Sequence, residues 1–382
     1  MDGAGHDDTR MEGNLLADRL RVGVLFGGRS GEHEVSLMSA ESVIKALREN
    51  KYEVVPIGIG KDGKWLVGSD PLKSLREAAQ MSGTDLAPAA FLPDPAKPGL
   101  VLLDGGGEVR PAEFDVIFPV LHGPYGEDGC IQGMLELAGV PYVGSGVAAS
   151  AVGMDKALMK SIFRSHGFPI MDYVVIKRRW LSDPEAVAEM VERRIGYPCF
   201  VKPANLGSSV GVSKATDRDR LIRGLREAAR FDRKLLVEKA ALDCREVECS
   251  ILGNDEPEAS VLGEIVPDGE FYDYESKYLR GTSELIIPAR VSKETTARIQ
   301  QLAKDAFLAI DGAGLARVDF FVHKQTEAVY INEINTMPGF THISMYPKLW
   351  EASGISYPEL VRRLIELALE RHSDKASSEI SR

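Results

Sequence analysis

The chain has 382 residues, of which 44% are hydrophobic and 27% are charged, and its formal net charge is −11. This length predicts two or three domains with full hydrophobic cores. The negative charge excludes binding of nucleic acid through a basic face, and the sequence has no apolar run of about 18 residues, the length that a membrane helix requires.

Cysteine usage and the first residues predict a cytoplasmic protein. The four cysteines (Cys130, Cys199, Cys244 and Cys249) form no CxxC pair and have no histidine at metal-ligand spacing. We therefore expect reduced thiols. Residues 1–20 are polar and acidic and lack the apolar core of a targeting peptide, so we interpret them as a flexible tail.

The chain then begins with a predicted α/β unit. A strand, a Gly-rich loop, a helix and a second strand follow one another at residues 21–26, 27–36, 36–49 and 52–59. This order predicts an open parallel sheet, in which ligands bind at the carboxyl ends of the strands, where the loop lies. The glycines do not follow GxGxxG, which excludes a dinucleotide-dependent dehydrogenase, and the chain contains no Walker A motif.

The rest of the first domain is less regular. Residues 87–107 are rich in Pro and Gly, and we expect them to form a surface excursion. The strand predicted at residues 114–121 leads into a second polar loop, which begins at His122. A domain boundary is predicted near residue 144, where glycine and serine alternate.

A Gly- and Ser-rich loop follows the strand that ends at Lys202. Glycines let the backbone approach a ligand, and successive N–H groups in such a turn form a nest for an anion. A lysine at the strand end adds a positive charge for phosphate. A plain hairpin connection is the alternative interpretation, but an oxygen-ligand metal site in the same chain favours nucleotide phosphate.

Two further segments can be interpreted as parts of the same nucleotide site. Residues 235–239 are apolar and then abruptly charged, which suits a strand whose end, at Glu238, contacts an adenine edge, with Glu246 near a ribose. An ordinary strand exit explains the same pattern. Lys156 lies on a predicted helix and would by itself be interpreted as a surface lysine.

The segment from Gly314 to Asn335 predicts a hairpin that carries a metal site. Side chains alternate faces along a strand, so Arg317 shares a face with Asp319, and Glu333 shares a face with Asn335. Pairing about the turn brings Asp319 opposite Glu333 and Arg317 opposite Asn335. Opposed carboxylates repel, and an all-oxygen ligand set suits Mg²⁺ or Mn²⁺ and argues against zinc. A solvated polar sheet face is the alternative.

A Pro-Gly turn follows this hairpin. It exposes backbone N–H groups at Gly339 beside the predicted metal, a suitable place for an oxyanion hole to which Arg317 adds a charged donor. A simple strand-ending turn is the competing interpretation. The residues and their spacing together predict an α/β enzyme that uses ATP and Mg²⁺.

From about Val22 to the last predicted helix, the chain resembles the ATP-grasp superfamily and, within it, the D-alanine–D-alanine ligase family. The resemblance rests on seven motifs in order: GGRSGEHEVS (27–36), HGPYGEDG (122–129), MDK (154–156), KPANLGSSVG (202–211), YDYESKY (272–278), RVD (317–319) and NEINTMPG (332–339). It implies an ATP-grasp fold that combines α/β and α+β domains. The implied order is the tail at 1–20, a parallel α/β substrate domain at 21–144, a central subdomain at 145–242 and a catalytic domain at 243–382.

The resemblance also implies an ADP-forming reaction that joins two molecules of D-alanine for peptidoglycan synthesis. The carboxylate of the first D-alanine attacks the γ-phosphate of ATP, and the amine of the second attacks the resulting acyl phosphate. The implied cofactors are ATP and two Mg²⁺ or Mn²⁺ ions. The implied assembly is a homodimer in the cytoplasm that binds neither nucleic acid nor membrane.

The family's functional residues map onto this chain one by one. Glu34 would hold the ammonium of the first D-alanine and would join Ser208 and Tyr278 in a lid that excludes water. Arg317 and the amide of Gly339 would form the oxyanion hole. Ser344 would hold the carboxylate of the second D-alanine, and His122 matches a further active-site histidine.

The remaining implied residues form two sets. Those that contact the nucleotide are Lys156, Lys202, Gly207, Ser208, Glu238, Lys239, Glu246, Lys277, Asn332 and Glu333. Those that bind metal are Asp319, Glu333 and Asn335.

Three alternatives stay open beside this interpretation. A D-alanine–D-lactate ligase shares the fold, but the lid sequence with Tyr278 favours the dipeptide. Another ATP-grasp ligase, such as an L-amino-acid ligase, is disfavoured by the loop that carries Glu34. A non-catalytic nucleotide-binding regulator would lack at least one metal or oxyanion residue, and none is missing from this sequence.

Overall fold

The computed structural model describes residues 20–68, 70–77, 86–103, 113–266 and 284–379. Packing divides the chain into two compact units. The first contains the described residues up to Gly126, together with Cys130–Gly144 and the segment from Gly339 onward. The second contains Glu127–Gly129 and Ser145–Pro338. The division into three domains stays a prediction.

Strands and helices alternate along the chain. The strands are β1 (Arg21–Gly27), β2 (Glu53–Ile59), β3 (Trp65–Val67), β4 (Ala87–Leu92), β5 (Gly99–Leu102), β6 (Val116–Val120), β7 (Tyr173–Lys177), β8 (Cys199–Pro203), β9 (Ser213–Ala215), β10 (Lys234–Lys239), β11 (Cys244–Gly253), β12 (Glu258–Val266), β13 (Glu284–Ile286), β14 (Gly314–His323) and β15 (Val329–Asn335). The α-helices are α1 (His33–Glu49), α2 (Pro71–Glu77), α3 (Cys130–Ala138), α4 (Val147–Met154), α5 (Lys156–Ser165), α6 (Pro184–Arg194), α7 (Arg218–Phe231), α8 (Lys293–Ala309), α9 (Met345–Ala352) and α10 (Tyr357–Ala376). A short 3₁₀ helix spans Arg178–Ser182.

The first unit is built on a mixed sheet with the strand order β5-β4-β3-β2-β1-β6. Its centre is parallel, as predicted, because β1 pairs in parallel with β2 and with β6. Beyond β2 the sheet continues with antiparallel strands. Helix α1 packs against β1 and α10, and Val35, Ala40, Val43 and Leu47 of α1 are fully buried at helical spacing.

The expectation of a surface excursion at residues 87–107 was wrong for its described part. Strands β4 and β5 lie there and pair with each other, and β4 also pairs with β3. Phe91, Leu100 and Val101 are buried in the core of the unit. The Pro and Gly content suggested a loop, but the apolar side chains between them stabilise a strand by burial, which local composition does not reveal.

The second unit contains two antiparallel sheets. One has the order β7-β10-β8-β9 and packs its apolar face on α6 and α7. The other has the order β13-β12-β11-β14-β15 and is covered by α8, with α4 and α5 against β15. Each sheet therefore keeps one face for its core and leaves the other face for polar side chains.

Two bulk predictions can be compared with the structure. All four cysteines lie within the described residues and are free thiols, as expected. In the described part of the chain, no helix is long and apolar enough to cross a membrane.

Candidate active site

The Gly- and Ser-rich loop joins β8 to β9 in the second unit. Along β8, Cys199 and Val201 are buried in the core of the sheet, while Phe200 and Lys202 alternate onto the opposite face. Past the strand, Ser208 and Ser209 both have positive φ angles, of 50° and 59°. A left-handed backbone costs a non-glycine residue about 1 kcal/mol, and such backbone outliers cluster where a loop contacts a ligand.

Lys202 faces a buried carboxylate on the neighbouring strand. The register of β8 and β10 pairs Lys202 with Leu236 and Phe200 with Glu238, so Lys202 and Glu238 are diagonal neighbours on one face. Lys202 Nζ donates to Glu238 Oε2 at 2.7 Å, and Lys160 forms an ion pair with Glu238 Oε1. The carboxylate of Glu238 is therefore held by two lysines.

Burial and charge act against each other in this cluster. Burial alone would raise the pKa of Glu238, but the positive charges of Lys160 and Lys202 outweigh it and lower that pKa. Burial would lower the pKa of Lys202, whereas Glu238 and Glu333 raise it. Burial prevails at Lys160 and lowers its pKa, although Glu238 opposes the shift. A buried carboxylate thus stays ionised because two cations face it.

Lys156 links the loop to strand β15. It is the first residue of α5, whose start is fixed because Asp155 accepts hydrogen bonds from the amides of Ala157 and Leu158. Lys156 Nζ donates to the backbone oxygen of Leu206 at 2.8 Å and lies 3.4 Å from Glu333 Oε2. The capped start of α5 therefore sets the position of Lys156, and its side chain contacts the loop and Glu333 instead of extending into solvent.

The hairpin of β14 and β15 has the predicted register. Arg317 pairs with Asn335, and Asp319 pairs with Glu333. The next pair joins Phe320 to Ile331, which leaves Asn332 without a partner in the register, as in a β-bulge. A bulge turns a side chain that strict alternation would send to the other face, and both Asn332 and Glu333 accordingly line one cavity.

Three carboxylates form a row across the strands of this sheet. Glu248 of β11 pairs with Asp319 of β14, which pairs with Glu333 of β15. Arg317 binds Asp319 through two hydrogen bonds of 2.7 Å and lies 3.1 Å from Glu248 Oε2. Arg317 and Lys156 thus lie beside this row, with Arg317 next to Glu248 and Asp319, and Lys156 next to Glu333.

The oxygen ligands on this face of the sheet fit a divalent cation. Asp319, Glu333 and Asn335 offer only oxygen ligands, the set that Mg²⁺ and Mn²⁺ prefer, and Mg²⁺ commonly takes a few protein carboxylates together with phosphate oxygens. Asn335 Oδ1 accepts a hydrogen bond from the amide of Met337, which fixes its side chain. In the described residues, no group of three or more His, Cys, Asp or Glu side chains forms a metal centre by itself.

A cavity of about 570 Å³ brings most of the predicted nucleotide residues together in the second unit. Its wall includes, from those predictions, Lys156, Lys202, Gly207, Ser208, Glu238, Lys239, Glu246, Asp319, Asn332 and Glu333. Lysine ammonium groups, a Ser-rich turn and carboxylate and amide oxygens thus surround one space. Lys277 and Tyr278 lie outside the described residues.

The other predicted residues belong to the first unit. Glu34 is exposed in the first turn of α1, and Lys61 Nζ lies 2.5 Å from its Oε1. That hydrogen bond lowers the pKa of Glu34, so the carboxylate is ionised and already binds one ammonium group. Ser344 caps α9, and its Oγ accepts a hydrogen bond from the amide of Thr341 at 3.2 Å.

His122 and the Gly339 turn share a buried serine. Ser39 Oγ lies 3.2 Å from His122 Nε2 and accepts a hydrogen bond of 3.2 Å from the amide of Phe340. Phe340 O in turn accepts a 2.6 Å hydrogen bond from Tyr357. Ser39 therefore orients the histidine and, through the next residue, the amide predicted for the oxyanion hole.

The sequence interpretation missed Lys160, Glu248 and Ser39. Lys160 follows Lys156 by four residues, the spacing that puts two side chains on one helix face, so a signal for it existed. Glu248 and Ser39 become visible only when strands and helices are paired in space.

Comparisons with known proteins agree with this geometry. A family profile described as D-ala D-ala ligase N-terminus matches residues 21–145, and one described as D-ala D-ala ligase C-terminus matches residues 162–366. A D-alanine–D-alanine ligase from Heliobacterium modesticaldum is 54% identical over 355 residues, 93% of this chain and 96% of that protein. The chain belongs to the D-alanine–D-alanine ligase family. The predicted family, ATP-grasp fold and ligase class are thereby confirmed.

Solved structures of this family and its relatives share the fold. A D-alanine–D-alanine ligase from Coxiella burnetii is 38% identical, with a TM-score of 0.81 over 94% of this chain and 97% of that one. A D-Ala:D-Ser ligase from Enterococcus faecalis is 34% identical, with a TM-score of 0.82 over 92% of this chain and 99% of that one. The fold alone therefore does not fix the second substrate.

Proposed function

We propose that this member of the D-alanine–D-alanine ligase family joins two molecules of D-alanine with the conversion of ATP to ADP and phosphate, and so supplies the dipeptide for peptidoglycan precursors. One observation carries the proposal. A single cavity in the second unit is lined by Lys156, Lys202 and the turn at Ser208, and also by Asp319 and Glu333. Cations and a backbone turn for phosphate thus face oxygen ligands for a divalent ion, the set of groups that phosphoryl transfer uses.

The reaction proceeds in two steps. A carboxylate oxygen of the first D-alanine attacks the γ-phosphorus of ATP, the bond to the bridging oxygen breaks, and ADP leaves. The amine of the second D-alanine then attacks the carbonyl carbon of the acyl phosphate and loses a proton, and inorganic phosphate leaves. Lys156 and Lys202 would stabilise the negative charge of the transferring group, with Lys277 as a predicted third cation.

Two Mg²⁺ or Mn²⁺ ions are proposed at Asp319, Glu333 and Asn335. When bound, they would neutralise charge on the phosphate oxygens. The oxygen-only ligand set supports this assignment, because carboxylate and amide oxygens are the ligands that these ions prefer and Asp319 pairs directly with Glu333 across the two strands.

The remaining roles follow from the chemistry of each side chain. Glu34 would hold the ammonium of the first D-alanine, as it holds that of Lys61 here. Ser344 would bind the carboxylate of the second. Arg317 and the amide of Gly339 would donate to the oxyanion of the tetrahedral intermediate. The lid of Glu34, Ser208 and Tyr278 stays a prediction, as do the homodimer and the cytoplasmic location.

Product analysis tests the proposal. Purified enzyme is incubated with Mg²⁺ and ATP together with D-alanine alone, L-alanine alone, or D-alanine with D-serine or D-lactate, and phosphate release and product masses are measured. We expect phosphate release with D-alanine alone, at one phosphate per dipeptide. A mixed product formed in preference to the dipeptide would reassign the second substrate, and no release in any mixture would overturn the proposed function. A Lys202→Met variant serves as the inactive control.

A further inference from the structure

Lys160 is a fully buried cation for which the reaction above has no use. It lies on α5, and its side chain is 0% exposed. Long charged side chains are almost never fully buried unless they are paired, because an isolated buried ammonium costs several kcal/mol. The partners of Lys160 therefore indicate what the fold requires of it.

Both partners of Lys160 are acceptors that belong to the nucleotide cavity. Its Nζ forms an ion pair with Glu238 Oε1 on β10 and donates a hydrogen bond of 3.0 Å to the backbone oxygen of Asn332 on β15. Asn332 is the bulged residue next to the metal ligand Glu333. Lys160 thus joins the two sheets of the second unit at the back of the cavity.

The charge of this cluster depends on Lys160. The carboxylate of Glu238 binds Lys160 through Oε1 and Lys202 through Oε2. Two cations and one anion leave a net charge of +1. Without Lys160, Glu238 would neutralise Lys202, and this part of the cavity would carry no net charge toward a polyphosphate.

We propose that Lys160 is a positioning residue of the nucleotide site, whose buried ammonium engages Glu238 and so leaves the charge of Lys202 available to the phosphates. The inference rests on the proposed function. It predicts that Lys160 strengthens binding of the phosphates and does not contribute to recognition of the adenine base. The carboxylate of Glu238 connects the two lysines.

Calorimetric titration of a Lys160→Met variant with adenosine, ADP and ATP tests the inference. Methionine keeps much of the side-chain volume and removes the charge. We expect the affinity for ADP and ATP to fall about tenfold or more, the order of magnitude of one charge acting across a partly buried site, and the affinity for adenosine to stay within about twofold. Lys375→Met, which removes a lysine of α10 that pairs with Glu136 of α3, is the control and should bind all three ligands normally.

A double variant, Lys160→Met with Glu238→Gln, sharpens the test. It removes one cation and one anion, so the ammonium of Lys202 at the cavity wall again faces the ligand without the carboxylate that would neutralise it. Because Glu238 itself is predicted to contact the adenine edge, ADP and adenosine are compared in the same variant, and we expect the ratio of the ADP affinity to the adenosine affinity to return to within about threefold of the wild-type ratio. A ratio as low as that of Lys160→Met would overturn the inference.

Other outcomes separate this inference from the proposed function. Equal losses for adenosine and ADP in Lys160→Met would show that Lys160 only supports the structure, and unchanged affinity for all ligands would also overturn its role. A wild-type enzyme that binds neither ADP nor ATP would overturn the proposed function and the inference with it.

Discussion

Replacing Arg317 with alanine tests the charged centre of the proposed site. Its guanidinium binds Asp319 through two hydrogen bonds of 2.7 Å and lies 3.1 Å from Glu248. These three side chains are at most 15% exposed. The substitution therefore removes both the proposed oxyanion donor and the cation between two carboxylates.

The two losses have different magnitudes and different readouts. Loss of one oxyanion donor lowers kcat by roughly 10²–10³-fold. Breaking a buried ion pair costs about 3–5 kcal/mol, and because these carboxylates border a cavity that admits water, we expect about 2–3 kcal/mol. At about 2–4 °C per kcal/mol, the melting temperature should fall by about 5–10 °C.

Steady-state kinetics and thermal melting separate the two effects. Arg218→Ala is the matched control, since Arg218 also binds carboxylates, Glu192 and Glu185, but on an exposed surface. It should lose less than about 1 kcal/mol and keep normal turnover. Near-normal kcat in folded Arg317→Ala would refute the oxyanion role, and an unchanged melting temperature would refute the ion-pair argument.

Three further predictions follow from individual contacts. Ser39→Ala should lower kcat roughly tenfold at unchanged KM for ATP, because His122 and the oxyanion turn lose their shared partner; an unchanged kcat would contradict this. Burial acts to raise the pKa of Glu264, but its arginine partner lowers that pKa, so its contribution to stability is present above about pH 4.5 and is lost as the pH falls below that value; urea unfolding should show Glu264→Gln losing less stability than the wild type between about pH 5 and pH 3, and parallel curves would refute it. Thiol labelling followed by peptide mass analysis should modify exposed Cys130 first, and Cys249 last because burial raises its pKa to about 12; early labelling of Cys249 would contradict its burial.

The sequence determined the local elements that carry the site. Alternation along a strand has a period of two, so the order Arg-Val-Asp is enough to place Arg317 and Asp319 on one face. The polar turn after His323 fixed the hairpin, and the register followed from the turn. The parallel centre of the first sheet was equally predictable, because a strand, a helix and a strand in succession favour a right-handed parallel crossover.

Tertiary structure decided the features that depend on side chains from distant parts of the chain. Glu248 joined the carboxylate row only because β11 pairs with β14, and Ser39 reaches His122 across 83 positions of sequence. The bulge at Asn332 and the burial of Phe91, Leu100 and Val101 likewise depend on packing partners that local composition does not specify.

Lys160 illustrates the difference between what the sequence and what the tertiary structure determine. Its spacing from Lys156 placed the two lysines on one side of α5, and the sequence went no further. Whether a lysine is solvated or buried depends on what covers it, and only the fold brings Glu238 of one sheet and Asn332 of another within reach of the same ammonium. Local periodicity thus sets the direction of a side chain, whereas its charge environment is a property of the packed structure.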